Sequence, residues 1–451
     1  MYKTTSLLLL VFLSCVFSFG QDKQLTKGLD ELFTEKIKST DPGGEVLVAR
    51  KGQIIYQKAF GIANLELNVP LRSDMVFKIG SVTKQFTAVA ILQLMEQGKL
   101  SLQDSLQKYI NDFPAKGYKI TIENLLTHTS GIKDYMQIDY PGPYMERRDF
   151  RPKELIDSFK TFPLDFEPGT AFRYSNSGYY LLGYIIEKVS GKSFYRYIDE
   201  NLLKPLELKN TYFDTSDVII PGMVNGYARS GAGYRNADYW SMTIAYAAGG
   251  LISNVEDLFK WHKGLYNYKI LKKETLEKAF IPFKLKDGRS TEYGYGWFIR
   301  NIGGIQSIEH SGSISGFRTN EVYFPKEDVF IATLYNCDCA PKDELTMAIS
   351  GLVFGKPLQK SVRVNENILN GYIGTYTLMP DARRSIVIVK EKNYLVAKVQ
   401  GENDYPLLFQ SDSKFEFKNI AGVTCEFIRE NGKVIKFVLN QNGFFEWKKI
   451  K

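Results

Sequence analysis

In FKIGSVTKQF, which begins at Phe77, Ser81 and Lys84 stand three residues apart at the start of an apolar run. Residues i and i+3 share a helix face, so Lys84 reaches the Ser81 oxygen. A serine hydroxyl is a poor nucleophile until a neighbour takes its proton or stabilises its anion. A lysine does either once burial lowers its pKa. The free amides of a helix beginning near Ser81 also favour a developing oxyanion. S-x-x-K alone is common, and its ordinary reading is a helix cap followed by a solvated lysine. Two features sharpen it here. Gly80 precedes the serine, and Phe86, Val89, Ile91, Leu92, Leu94 and Met95 make the run apolar nearly all round. Such a helix is buried, and a lysine at its start needs partners.

Two further stretches offer them. PGTAFRYSNSGYYLLG, from Pro168, holds Tyr174, Ser175 and Asn176 in a turn leading into a helix. A tyrosinate stabilised by a lysine is a general base. The Asn176 amide donates and accepts, which suits an acyl-group amide or the Lys84 ammonium. EHSGSISGF, from Glu309, sets His310, Ser311 and Gly312 on an expected edge strand. Gly312 there lets a substrate backbone lie close. The Ser313 amide pairs with that of Ser81 as an oxyanion hole, each such donor worth roughly 10²–10³ in rate. Taken singly, the tyrosine turn reads as a capped core turn and His310 as a surface strand residue.

The elements that must position these groups follow from periodicity. EVLVARKGQIIYQKAFGIAN, from Glu45, alternates around Lys51-Gly52 as a β-hairpin. The Ser81 helix ends near Gly98, and YYLLGYIIEKVSG is a helix ending at Gly191. Residues from about 106 to 266 read as mostly helical or irregular. IQSIEHSG, EVYFP and VFIATLYN are short strands. One antiparallel sheet is therefore built from both ends of a domain with a helical insertion between, an α/β (α+β) sandwich plus an all-α lobe over residues 25–355. GKPLQKSVRVNEN, from Gly355, reads as a linker. Residues 362–451 are regularly spaced short strands, with a hairpin signal at Asn431-Gly432, expected to form a small all-β barrel-like domain. Tyr394, Phe415, Phe417, Phe437 and Trp447 are expected in its core.

The order S-x-x-K, Y-x-N, H-x-G resembles the penicillin-recognising serine hydrolases, with their β-lactamase/transpeptidase-like fold. The nearest group is that of class C β-lactamases, D-alanyl-D-alanine carboxypeptidases, D-aminopeptidases and esterases. LLTHTSGI from Leu125, AAGGLISNVEDLFKW from Ala247 and YGYGWF from Tyr293 are similar to the same family. The C-terminal segment resembles accessory domains of some members. The resemblance implies that Ser81 forms an acyl-enzyme, that Lys84 tunes it and shuttles a proton, and that Tyr174 acts as base and then acid. It makes Asn176 position Lys84 and substrate, sets His310 beside Tyr174, and assigns the oxyanion to the Ser81 and Ser313 amides. His128 reads as structural. The sequence has H-S-G where β-lactamases have K-T-G or K-S-G. A neutral histidine attracts a substrate carboxylate less well, and Arg318 is the candidate replacement cation. The expected activity is hydrolysis of amides or esters, D-amino-acid peptides or small esters, including peptidoglycan-derived ones. The alternatives are a true β-lactamase and a penicillin-binding or sensor-type protein with little turnover.

Composition bounds the rest. The 451 residues are 44% hydrophobic, enough for a large core and more than one domain. The net charge of +8 is spread along the chain, which argues against a nucleic-acid partner. MYKTTSLLLLVFLSCVFSFG, residues 1–20, has Lys3 ahead of an apolar stretch from Leu7 to Phe19 and small residues at Ser18 and Gly20. This reads as a signal peptide for export to the periplasm or beyond, with no lasting transmembrane span. Cys15 leaves lipoprotein anchoring open. Cys337, Cys339 and Cys425 are expected as buried small residues, the first two too close for an ordinary bridge. With only His128, His262 and His310 in the chain, no metal site or cofactor is expected. Oligomeric state is not readable.

Overall fold

The structure is a computed structural model. It describes residues 23–140, 145–215, 218–356, 361–379, 381, 383–392, 394–400, 402, 404–418, 420, 423–441 and 443–451. The expected signal peptide, Cys15 included, and residues 357–360 of the expected linker lie outside the described residues.

Strands β1 (Gly44–Arg50) and β2 (Gln53–Phe60) turn through Lys51 and Gly52, whose φ values of 51° and 72° suit a type I′ hairpin. Strands β3 (Phe298–Ile302), β4 (Ile305–Ile314), β5 (Phe317–Phe324) and β6 (Val329–Tyr335) complete one antiparallel sheet, ordered β3-β4-β5-β6-β1-β2. β6 pairs with β1 along their whole lengths, Gly44 opposite Tyr335 and Arg50 opposite Val329. The N-terminal hairpin thereby closes onto strands nearly 300 residues later.

The helices that matter are α1 (23–36), α2 (Thr83–Glu96), α3 (Asn176–Ser190), α4 (Met242–Gly249), α5 (Val255–Tyr266) and α6 (Lys342–Phe354). α1 and α6 cover one face of the sheet through Leu29, Phe33, Leu345 and Ile349 packed on Val46, Val48 and Val322. The other face carries Leu47, Phe330 and Ala332, which share a core with α2, α3 and α5. α2 is central: eleven of its fourteen residues are buried, so no face is left for solvent. Phe86 stacks on Trp261 at 3.9 Å, and the Trp261 indole donates to Gln85 Oε1 at 2.9 Å. Gly98 and Gly191, with φ of 68° and 71°, follow α2 and α3 where a left-handed residue ends a helix.

A closed eight-stranded barrel follows: β7 (Gly374–Leu378), β8 (Ser385–Glu391), β9 (Tyr394–Val399), β10 (Tyr405–Phe409), β11 (Lys414–Phe417), β12 (Thr424–Glu430), β13 (Lys433–Asn440) and β14 (Phe444–Lys449). Closure removes the exposed strand edges of a free sheet. Helix α7 (Glu366–Tyr372) precedes it, with Tyr372 stacked on Phe427 at 3.8 Å. Phe415, Phe417, Phe437 and Trp447 fill the barrel as expected, but Tyr394 is 42% exposed. It precedes the inward Leu395, and strand alternation turns it out.

The cysteine expectation needs correcting. Cys337 and Cys339 form a disulfide, and only Cys425 among the described residues is a free, buried thiol. The chain turns as it leaves β6, bringing the two Cα atoms to 5.1 Å, inside the span a bridge tolerates. Spacing along an extended chain is the wrong measure in a turn.

Candidate active site

Ser81 sits in a short 3₁₀ turn, Gly80–Val82, that feeds α2. Gly80 has φ of +50°, and a Cβ on it would lie 3.0 Å from the Ser313 nitrogen. A Cβ on Gly312 would fall 1.9 Å from the Ile79 carbonyl oxygen and 3.3 Å from the Ser81 nitrogen. Both glycines are therefore needed for β4 to lie directly against the serine turn, an approach no side chain permits. β4 is second in the sheet order, yet β3 pairs only as far as Glu309. From His310 to Ile314 one side of β4 is thus an edge, as expected for that segment.

Lys84 is fully buried. Its Nζ lies 3.0 Å from Ser81 Oγ, 2.9 Å from Asn176 Oδ1 and 2.7 Å from the Ala248 carbonyl oxygen. Among the described residues no carboxylate touches it. Burial lowers its pKa from 10.5 to about 7, opposed by the more distant charge of Asp134. Two of its partners are obligate acceptors and Ser81 is not. A neutral amine therefore gives its two hydrogens to Asn176 and Ala248 and points its lone pair at the Ser81 hydroxyl.

Each partner is itself held. Asn176 opens α3, and its Nδ2 donates to Asp134 Oδ2 at 3.2 Å, which orients the amide oxygen toward Lys84. Asp134, buried at the start of a loop, also accepts from the Met136 amide at 3.1 Å; burial raises its pKa. Ala248 lies just past Tyr246, whose φ of 39° and ψ of −129° break α4. Beyond that kink the Ala247 and Ala248 carbonyls turn to Thr87 Oγ1 and Lys84 Nζ, both at 2.7 Å. Strain of this kind is characteristic of functional sites.

The Tyr174 ring lies tilted 4.2 Å from that of His128, and Lys84 Nζ lies 4.8 Å from its ring centre. Its hydroxyl is buried, and among the described residues the Ser81 hydroxyl is the polar group that bears on it, with no other bond anchoring it. Burial raises the phenol pKa well above 10, with the nearby Ser81 hydroxyl pulling the other way. The Ser175 amide donates to His128 Nδ1 at 3.1 Å, so His128 holds the turn carrying Tyr174. His310 Nδ1 donates to the Ser311 carbonyl at 2.7 Å, which leaves Nε2 to accept from the Tyr293 hydroxyl at 3.1 Å. Burial, with Lys84 behind it, lowers the His310 pKa to about 3. The ring is neutral at all ordinary pH, 6.1 Å from that of Tyr174.

A cleft of about 160 Å³ opens over Ser81, lined also by Tyr174, Asn176 and Ser313, with Met136, Trp240 and Ile314 adding apolar surface. Its described lining carries no charged side chain. A hollow of about 1230 Å³ between α1 and α6 is larger but holds no nucleophile paired with a base. Arg318 stands apart from the cleft. It lies opposite Ser313, one residue out of step with His310 and Gly312, and so on the other face of the sheet. Asn320, on that same face, contacts Thr346 of α6. The Arg318 guanidinium donates to the Phe317 carbonyl, with Asp338 and Asp343 as its charged neighbours. This arrangement corrects the expectation of a cation at the substrate carboxylate. Asp134, Ala248 and Tyr293 are not individual site residues in the sequence reading, although Ala248 and Tyr293 fall in stretches it singles out. Among the described residues no group of acids, histidines and cysteines could hold a metal ion, and no helix is long and apolar enough to cross a membrane.

Residues 29–353 match the family model described as Beta-lactamase. The chain is similar to penicillin-binding protein 4* of Bacillus subtilis (strain 168), with 28% identity over 449 residues, 92% of this chain and 97% of that protein. It is also similar to the octameric penicillin-binding protein homologue from Pyrococcus abyssi, with a TM-score of 0.64 and 28% identity over 93% of this chain and 99% of that one. The D-amino acid amidase from Ochrobactrum anthropi SV3, complexed with D-phenylalanine, gives a TM-score of 0.64 at 20% identity, covering 74% of this chain and 99% of that one. At that identity it shares the fold alone.

Proposed function

The chain belongs to the beta-lactamase family, and on that premise we propose an exported serine hydrolase that cleaves amides or esters of uncharged or D-configured acyl groups through an acyl-enzyme. The observation that carries this reading is the Lys84 amine, 3.0 Å from Ser81 Oγ and held by two carbonyl oxygens. Ser81 attacks the substrate carbonyl and its proton passes to Lys84. The Ser81 and Ser313 amides, both at the cleft, receive the oxyanion. Tyr174 then gives its phenolic proton to the leaving group as the acyl bond to it breaks, and Lys84 replaces that proton. Water repeats the sequence on the ester and frees Ser81. Assigning the first proton to Lys84 differs from the sequence expectation of a tyrosinate base. The phenol is held protonated by burial, whereas the lysine is poised near neutrality.

The substrate class rests on charge. The cleft's described lining is uncharged, His310 is neutral, and Arg318 faces away. A substrate whose recognition needs a free carboxylate finds no cation there. This favours D-amino-acid amides, small esters and internal peptide bonds, peptidoglycan-derived ones included, over β-lactams. The free edge of β4 from His310 suits an extended acyl chain pairing with it. Turnover of p-nitrophenyl esters, D-alanyl amides and a chromogenic cephalosporin, measured side by side, tests the ranking. Esters and amides are expected to be turned over at least tenfold faster. A cephalosporin rate equal to theirs would overturn the substrate assignment.

A further inference from the structure

The barrel reaches the back of the candidate site. Asn440 ends β13 and Phe444 begins β14, and Gly443, just before β14, lies on the segment that carries Tyr174. Gly443 forms an antiparallel bridge with Arg173, whose own amide donates to the His128 carbonyl at 3.0 Å. The segment is thus held between the His128 loop and the barrel. Phe444 packs against the cluster of Phe172, Tyr293 and Phe298, which Tyr174 also joins. The Arg289 guanidinium lies 5.2 Å from the Phe444 ring centre. Asn440 Nδ2 donates to Glu292 Oε2 at 2.9 Å, and Glu292 directly precedes Tyr293, the partner of His310.

From these contacts we propose that the β13–β14 hairpin is a positioning element of the active site, with Phe444 and Asn440 setting the place of the Tyr174 phenol. Among the described residues nothing anchors the Tyr174 hydroxyl except the reacting Ser81 hydroxyl beside it. Its position therefore comes from what packs behind its ring and from the backbone of residues 172–174. Both are braced by the barrel. A proton carrier misplaced by an ångström loses about 10²-fold in rate, so a phenol anchored only at the reacting serine makes the bracing matter. The barrel then serves the reaction without touching substrate. This inference rests on the reading of Tyr174 as the proton carrier to the leaving group.

The test uses the full chain and a D-alanyl amide or alkyl ester, whose leaving group needs a proton and whose turnover Ser81 supports. Phe444→Ala is expected to lower kcat about 10- to 100-fold with KM nearly unchanged, and Phe444→Leu to restore most of it. In a Tyr174→Phe background, Phe444→Ala should cost little more, because the two changes act on one group. Equal losses from Phe444→Ala in both backgrounds would overturn the proposal, as would no loss in either. Should Phe444→Ala not fold, Asn440→Ala replaces it in the same cycle with the same expectations. If Tyr174→Phe alone keeps full turnover, the proton-carrier reading fails instead, and that result is separate from the coupling.

Discussion

Lys84 is buried without a touching counter-ion, and that sets the pH behaviour of the site. Its pKa falls to about 7 by desolvation. The rate of Ser81 acylation should therefore climb through pH 7 as the amine becomes free, then level off. The same shift has a stability consequence. Between about pH 7 and 10.5 the unfolded chain binds a proton at Lys84 that the folded chain does not, so folding stability rises with pH across that window. A Lys84→Met variant, compared by urea titration at pH 6 and pH 9, should lose this slope along with its turnover. Asp134 opposes the shift, since its charge holds the Lys84 pKa up. Asp134→Asn should move the rising limb to lower pH. A limb that stays in place would mean that Asp134 acts only by orienting Asn176.

The serine turn and strand β4 meet backbone to backbone, so the glycines there carry the geometry. Gly312→Val puts carbon where the Ile79 oxygen lies. It should destabilise the protein by about 1–3 kcal/mol as an overpacked site. It should also cost roughly 10²–10³ in kcat by moving the Ser313 amide, read by thermal unfolding beside steady-state rates. Local features of this kind were legible in the sequence. Lys51-Gly52 and Asn431-Gly432 announce hairpins because both residues of each pair take positive φ. Ser81 and Lys84 announce a site because three residues is one helical turn. Asp134 and Ala248 were not legible as site residues. Their partners lie 42 and 164 positions away, and no local pattern encodes that. The face of Arg318 was open to reasoning from strand parity, given the tight turn that sets Ile314 opposite Phe317.

The molecule joins a helix-covered sheet, with a core on each face, to a closed barrel at the rear of one site. The barrel's aromatic interior, with Phe415, Phe427, Phe437 and Trp447, is separate from the core around α2. Phe437 is fully buried there, beside Trp447. Phe437→Ala should cost the barrel about 3–5 kcal/mol, seen as an earlier transition in denaturant, while the core around α2 keeps its own. The sequence's alternation of short strands made a β-domain readable, with residues 362–451 as its proposed extent. Nothing local could tell that Gly443 meets Arg173, because docking between domains depends on surfaces that neither domain's periodicity records.

The central claim is that Ser81 is a nucleophile activated by Lys84. The most direct measurement is intact mass of the purified protein after brief exposure to a fluorophosphonate, for wild type and Ser81→Ala in parallel, with peptide mapping of the adduct. The account predicts one adduct per wild-type chain, mapped to Ser81, none on Ser81→Ala, and ester turnover lost with it. An adduct elsewhere, or a folded Ser81→Ala protein that keeps full turnover, would contradict it.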